Sequence, residues 1–285
     1  MRLFCSPLQV LTPRIQIRNY VRRRANLNAS VSDISRHPAL TTILYEPSVI
    51  IERQLEIGSV IAGYEQSRVF YVYKPDGSPV GELLEIDKSP GIGSGALGFL
   101  TRQLARRRRP FTVGMFDAPG LDTNPANMGP TGPTGPTGSM GPMNWRDTMG
   151  LSLKRPFKFI NSHVRSELPD GSLLGESQQT WHLFRRKYEL FKASKNGTQM
   201  NQFGEIDAPF LSFQFPVFNA KGDEIARIDR RWGGIGREMF TDTGCYELQF
   251  GNLGFRERSV LLAATISIDF DYFTRLRHTV DDPVM

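Results

Sequence analysis

Leu211, Phe213, Phe215 and Val217 alternate with Ser212 and Gln214, and this period of two assigns the first set to one face of a β-strand. Asn219 to Gly222 then supplies turn residues, and Ile225 to Trp232 returns. The same logic recurs earlier in the chain. Arg68 to Lys74 (RVFYVYK) runs into Pro75-Asp76-Gly77, where proline fixes φ and glycine tolerates positive φ, and Val80 to Ile86 comes back. Phe111 to Phe116 and Leu151 to Phe159 form another pair. Arg155 to Val164 precedes Leu168-Pro169-Asp170-Gly171, followed by Leu173 to Gly175 and the aromatic run Thr180 to Phe191. Ser48 to Leu55 opens the fold as a short helix or strand, within a stretch from Arg36 to Arg68 that has no clean period. The pattern predicts a mainly β chain. Antiparallel meanders of this kind close into a barrel, which removes exposed strand edges and leaves an interior to fill.

The predicted filler lies near the C-terminus. Glu257 to Leu276 holds no Gly or Pro, and Val260 to Ile268 is apolar on all sides apart from Thr265 and Ser267. A helix with that pattern is buried in protein or in membrane. Asp269 and Asp271 break the run well short of the ~20 apolar residues that a bilayer span needs. The expectation is a buried central helix carrying Val260, Leu261, Leu262, Ile266, Ile268 and Phe270; the alternative is a membrane anchor.

One segment departs from the β pattern. Gly129, Gly132, Gly135, Gly138 and Gly141 fall at every third residue, as in collagen, but the run is too short for a stable triple helix. Residues 120–146 are read as a disordered insert in the connection after Phe111 to Phe116, a lengthening that costs little.

Charge adds a leader. Of the formal +6, the six arginines Arg2, Arg14, Arg18, Arg22, Arg23 and Arg24 account for all, and residues 1–32 contain no Asp, Glu or Lys. An Arg-rich, acid-free segment with interspersed apolar residues fits a mitochondrial presequence, itself disordered; the alternative is a basic tail that binds acidic surfaces. Pro7, Pro13 and the arginines break the unbroken apolar core that a secretory signal requires. The cysteines are Cys5, in this leader, and Cys245, so no disulfide framework is expected.

Candidate chemistry is sparse. His37, His163, His182 and His278 have no metal-type spacing, and no nucleophile elbow or triad stands out, so transport or binding is expected rather than an enzyme. Gly91 to Gly98 lacks the terminal Lys-Ser/Thr of a phosphate loop and reads as a linker. Arg102, Arg106, Arg107, Arg108 and Arg109 make a basic patch suited to the phosphates of anionic lipids, each contributing up to ~1 kcal/mol near an anionic membrane. Nucleic acid is disfavoured as a partner, because without the leader the chain has no net positive charge. No cofactor is established. Asp242, followed by Glu247, is the one candidate Ca²⁺ position, and two carboxylates are thin for an ion that takes six or more oxygens.

Arg155-Pro156-Phe157, Gln179-Thr180-Trp181-His182-Leu183, Arg230-Arg231-Trp232-Gly233-Gly234-Ile235-Gly236-Arg237-Glu238, Phe240-Thr241-Asp242 and Ser267-Ile268-Asp269-Phe270-Asp271-Tyr272-Phe273 carry a family likeness. With these motifs the chain resembles the phospholipid scramblase family, particularly its mitochondrial branch, from about Thr41 to Arg275. The resemblance implies a tubby-like architecture: a closed antiparallel barrel of twelve strands enclosing the C-terminal helix, here over 41–276, with 277–285 as a tail. It also implies ATP-independent, bidirectional phospholipid movement, here at mitochondrial membranes, with anionic phospholipid surfaces as partners. The alternative is a headgroup-binding tubby-like module or adaptor without transport. In the family's Ca²⁺ segment only Asp242 matches the acidic pattern, which argues against calcium dependence. The cysteine-rich tract and proline-rich arm of animal-type members do not appear in this sequence, so acyl anchoring is not carried over.

Overall fold

A computed structural model describes residues 37–53, 68–86, 110–117, 149–156, 161–194, 199–231 and 244–273. The segments read from sequence as a leader (1–32), an insert (120–146) and a tail (277–285), the arginines at 102 and 106–109, and Asp242 lie outside the described residues.

Within the described residues, helix α1 (Pro38–Tyr45) precedes twelve strands: β1 (Ser48–Arg53), β2 (Val69–Tyr73), β3 (Pro79–Glu85), β4 (Phe111–Asp117), β5 (Met149–Arg155), β6 (His163–Glu167), β7 (Leu173–Thr180), β8 (Arg185–Ala193), β9 (Met200–Pro209), β10 (Gln214–Phe218), β11 (Glu224–Arg231) and β12 (Cys245–Gln249). Helix α2 (Phe255–Ile268) and a wider π-helical turn (Asp269–Phe273) complete the fold. Each strand pairs antiparallel with its sequence neighbours, and β1 pairs with β12, so the barrel closes with no free edge.

The register gives the barrel two unlike ends. Odd strands run from one end to the other and even strands return, so the β2–β3, β6–β7 and β10–β11 turns share an end. The first two turns repeat one chemistry. Asp76 Oδ1 accepts from the Ser78 amide (2.8 Å) and hydroxyl (2.6 Å), and Asp170 accepts from the Ser172 amide on Oδ1 (2.7 Å) and its hydroxyl on Oδ2 (2.9 Å), with Gly77 and Gly171 at φ near +88° and +85°. Helix α1 covers this end through buried Ala39, Leu40 and Ile43. Arg258 of α2 locks it by donating to the carbonyls of Ile43 (2.8 Å) and Glu46 (2.6 Å).

Helix α2 runs from this closed end up the interior. Its N-terminus is held by Glu257, whose carboxylate accepts from the Gly254 amide at 2.6 Å. Val260, Leu261, Leu262, Ile266 and Ile268 are fully buried and Phe270 nearly so, packed against Val49, Ile51, Leu151, Leu153, Leu190, Val217, Ile228 and Leu248 of the wall. Among the described residues no helix is long and apolar enough to cross a membrane.

Several expected boundaries differ. Arg155 to Val164 is not one strand: β5 ends at Arg155 and β6 begins at His163, because Pro156 has no N–H to extend the ladder. The run Thr180 to Phe191 is split, with residues 181–184 forming an exposed connection before β8. Leu211 and Phe213 do not share the inward face of Phe215 and Val217. They precede β10 in a turn closed by the Ser212 amide on the Pro209 carbonyl (3.0 Å), and both are exposed. Asp269 and Asp271 do not simply interrupt the helix; they are buried and ion-paired.

Candidate functional site

The end opposite α1 is built from period-two arithmetic. The inward sequences Val49-Ile51-Arg53, Leu151-Leu153-Arg155 and Ala226-Ile228-Arg230 each end on an arginine, and β8 begins Arg186-Tyr188-Leu190. Antiparallel order brings all four arginines to one level of the barrel, just inside its mouth. All four are buried. Buried guanidinium groups are costly unless they are paired or hydrogen-bonded.

The π-helical turn that follows α2 supplies much of that compensation. Arg53 Nη1 donates to Asp269 Oδ2 at 2.8 Å, and Tyr246 donates its hydroxyl to Asp269 Oδ1 at 2.8 Å. Arg155 Nη1 donates to Asp271 Oδ1 at 3.0 Å, while Tyr188 (3.1 Å) and Ser267 (3.0 Å) donate to Oδ2. Burial, then the neighbouring aspartates, push the Tyr188 and Tyr246 phenols well above their usual range, so both act as donors.

Aromatic rings fill the spaces between. Phe270 stacks on Phe111 with centroids 4.4 Å apart, Arg155 lies 4.3 Å over Phe111, and Arg68 lies 4.0 Å over Phe270. Arg230 covers Phe273 at 4.2 Å. Arg186 sits over Tyr272 at 4.4 Å and Phe273 at 4.8 Å. Such cation–π contacts contribute ~0.5–2 kcal/mol each, more when desolvated.

Above this layer the mouth is apolar. Trp181, Leu183 and Phe184 of the β7–β8 connection are exposed, as are Phe210, Leu211 and Phe213 of the β9–β10 connection. The Phe210 amide donates to the Phe184 carbonyl at 3.1 Å, so the two connections form one ridge. Of the eight large hydrophobic side chains most exposed among the described residues, these are six. Clustered exposure of this kind marks a surface that meets lipid or another protein. The barrel wall differs, since it presents Lys154–Glu167, Arg165–Glu176, Arg227–Glu224 and Arg231–Glu247 pairs outward. A lipid-embedded barrel carries an apolar band there.

The positions singled out from sequence divide. Val260, Leu261, Leu262, Ile266, Ile268 and Phe270 come together in the barrel interior. Arg102 and Arg106 to Arg109 fall in the segment between β3 and β4, and like Asp242 they lie outside the described residues. Glu247, the acid read beside Asp242, is engaged by Arg231 at 2.7 Å. Among the described residues, no cluster of three or more His, Cys, Asp or Glu side chains is placed to hold a metal. A cavity of about 300 Å³ beside β4, β5 and β6 is lined by Phe111 and Arg155 together with Lys154 and Arg165, and its three cations are already paired with carboxylates. Sequence reasoning missed the inward arginines and the ridge. The signal for the first was present, because each arginine continues an inward alternation.

These features define a helix-filled, closed antiparallel barrel with an amphipathic mouth. The family described as Scramblase matches residues 28–122 and 143–275. The chain is 37% identical to the altered inheritance rate of mitochondria protein 25 of Saccharomyces cerevisiae, over 88% of this chain and 78% of that one. It is 29% identical to a phospholipid scramblase family protein of Schizosaccharomyces pombe, over 87% of this chain and 65% of that one. Human phospholipid scramblase 2 is 21% identical over 84% of this chain and 72% of its own. No solved structure matches significantly. The chain belongs to the scramblase family, and this membership supports a phospholipid scramblase-like function.

Proposed function

We propose that this chain moves phospholipids between the leaflets of a mitochondrial membrane without ATP, engaging lipid at the barrel mouth. The observation that carries the reading is the ridge of Trp181, Leu183, Phe184, Phe210, Leu211 and Phe213 directly above buried arginines. Apolar side chains of this kind insert at the headgroup–acyl boundary, while cations beneath them attract phosphates. Arg102 and Arg106 to Arg109 add long-range attraction to anionic lipid. The Arg-rich segment 1–32 delivers the chain to mitochondria, in keeping with the name of the budding-yeast relative. No bond chemistry is assigned to the protein, and Ca²⁺ is given no part.

Scrambling needs a polar route for a headgroup across an apolar layer, where an unsolvated charge is costly. The barrel interior is filled by α2, which favours a route along the mouth, where an inserted ridge perturbs lipid packing. The same filled interior favours a second reading: a module that holds headgroups and moves none. The test is flip-flop of a labelled phospholipid in cardiolipin-containing liposomes with purified protein lacking residues 1–32, without ATP, and with or without Ca²⁺. Acceleration supports the transport reading, and equal rates with and without Ca²⁺ support a Ca²⁺-independent mechanism. Liposome binding without acceleration replaces transport by the headgroup module.

A further inference from the structure

Arg186 differs from Arg53 and Arg155. Arg53 and Arg155 each face an aspartate at 3.0 Å or closer, whereas Arg186 has no carboxylate partner among the described residues. It is only 5% exposed. Among the described residues its one hydrogen bond is from Nη1 to the Ser212 carbonyl at 3.1 Å, and its Nε has none. The guanidinium packs among the rings of Tyr272, Phe273, Phe210 and Phe215, with centroids at 4.4–5.7 Å. Aromatic rings stabilise the cation but accept none of its N–H bonds in its plane.

Two features give this orphaned donor edge a direction. Ser212 and Phe210, which touch Arg186, belong to the β9–β10 connection that carries Phe210, Leu211 and Phe213 of the ridge, so the guanidinium lies immediately under it. Arg230 also covers Phe273, at 4.2 Å, so two like charges share one ring. Burial, with a contribution from Arg230, accordingly lowers the Arg186 pKa from its ordinary value. An anion placed beside Arg186 would supply both the missing acceptor and the missing negative charge.

We propose that Arg186 is a phosphate anchor of the mouth, bonding the phosphodiester of a phospholipid whose acyl chains lie along the ridge of Phe184, Phe210 and Leu211. This rests on the reading that the mouth engages lipid, and it names the group that holds the lipid phosphate. A phosphodiester suits the site because its oxygens accept in the guanidinium plane, where the surrounding rings offer no acceptor. Lysine lacks that fork.

The experiment measures flotation of the full chain with phosphatidylcholine vesicles containing phosphatidylglycerol, for wild type, Arg186→Met, Arg186→Lys and the ridge variant Phe184→Ser/Leu211→Ser. Far-ultraviolet circular dichroism and thermal unfolding establish folding for each. The expected result is about tenfold weaker vesicle binding for Arg186→Met and a smaller, several-fold loss for Arg186→Lys. Should Arg186→Met not fold, Arg186→Lys decides: binding equal to wild type overturns the proposal. If the ridge variant loses binding and both Arg186 variants keep it, the mouth engages lipid but the anchor is refuted. If all variants bind like wild type, the reading of the mouth itself fails. A further arm adds inorganic phosphate at constant ionic strength. Displacement of vesicles from wild type by phosphate would reassign the site to the free anion and overturn the lipid assignment, and retained binding supports it.

Discussion

Asp271 is the acceptor on which the mouth depends, and removing it has a magnitude the structure constrains. Its two oxygens take hydrogen bonds from Arg155 (3.0 Å), Tyr188 (3.1 Å) and Ser267 (3.0 Å), and all four residues are buried. Asp271→Ala strips a buried cation of this carboxylate, a change that costs about 3–5 kcal/mol. Tyr188→Phe removes one donor to a charged acceptor and costs less, about 1.5 kcal/mol. In the Asp271→Ala background that donor has already lost this acceptor, so Tyr188→Phe there should cost under about 0.5 kcal/mol. The cycle therefore predicts a coupling of about 1 kcal/mol between the two positions.

Urea unfolding followed by circular dichroism measures all four proteins, with equal denaturant slopes required before midpoints are compared. A loss of 3–5 kcal/mol is a large fraction of the ~5–15 kcal/mol that ordinarily holds a fold together, so Asp271→Asn, which keeps the shape and an acceptor, serves as the milder companion. Asp271→Ala within about 1 kcal/mol of wild type would refute the assignment of this carboxylate as a mainstay of the mouth. So would a Tyr188→Phe cost that is identical in both backgrounds, because the hydroxyl would then be acting elsewhere.

Two other outcomes follow from electrostatics. Asp229 on β11 is pushed up to about 6, chiefly by burial, against the cations of Arg227 and Arg231 and with the acids Glu247 and Glu224 adding to the rise. A carboxyl whose folded pKa exceeds its unfolded value near 3.9 weakens the fold as pH climbs from about 4 to about 6, with no further change above. Asp229→Asn should therefore match wild type near pH 4 and gain about 1–2 kcal/mol at neutral pH, after discounting for partial exposure; thermal melts at the two pH values read this, and no gain at neutral pH sinks it. Replacing the six arginines of residues 1–32 by glutamine should abolish import into isolated mitochondria, and undiminished import would remove the presequence assignment.

The strands and their turns are legible in the sequence because both signals are local. Asp76 with Ser78 and Asp170 with Ser172 sit two residues apart and close their turns without help from the rest of the chain. The mouth is not local. Arg53 meets Asp269 across 216 residues and Arg155 meets Asp271 across 116, so each arginine reads as the polar end of a strand and each aspartate as a break in a helix. Leu211 and Phe213 mislead for a different reason. Their alternation with Ser212 continues that of β10, but alternation describes a face only once strand pairing has begun, and pairing begins at Gln214.

The buried pairs also bear on how lipid could move. A route through the lumen would require α2 to leave the barrel, uncovering Leu261, Leu262 and Ile266 and separating Asp269 and Asp271 from Arg53 and Arg155. Each broken buried pair costs about 3–5 kcal/mol, before any apolar exposure is counted. Two such pairs already reach the ~5–15 kcal/mol that separates folded from unfolded domains. Extraction of α2 is therefore close in cost to unfolding, whereas lipid contact along the ridge requires no pair to break. The sealed interior therefore favours the proposed engagement of lipid at the mouth, where Phe273 joins the buried ion pairs to the exposed edge through Tyr246 on one side and Phe213 on the other.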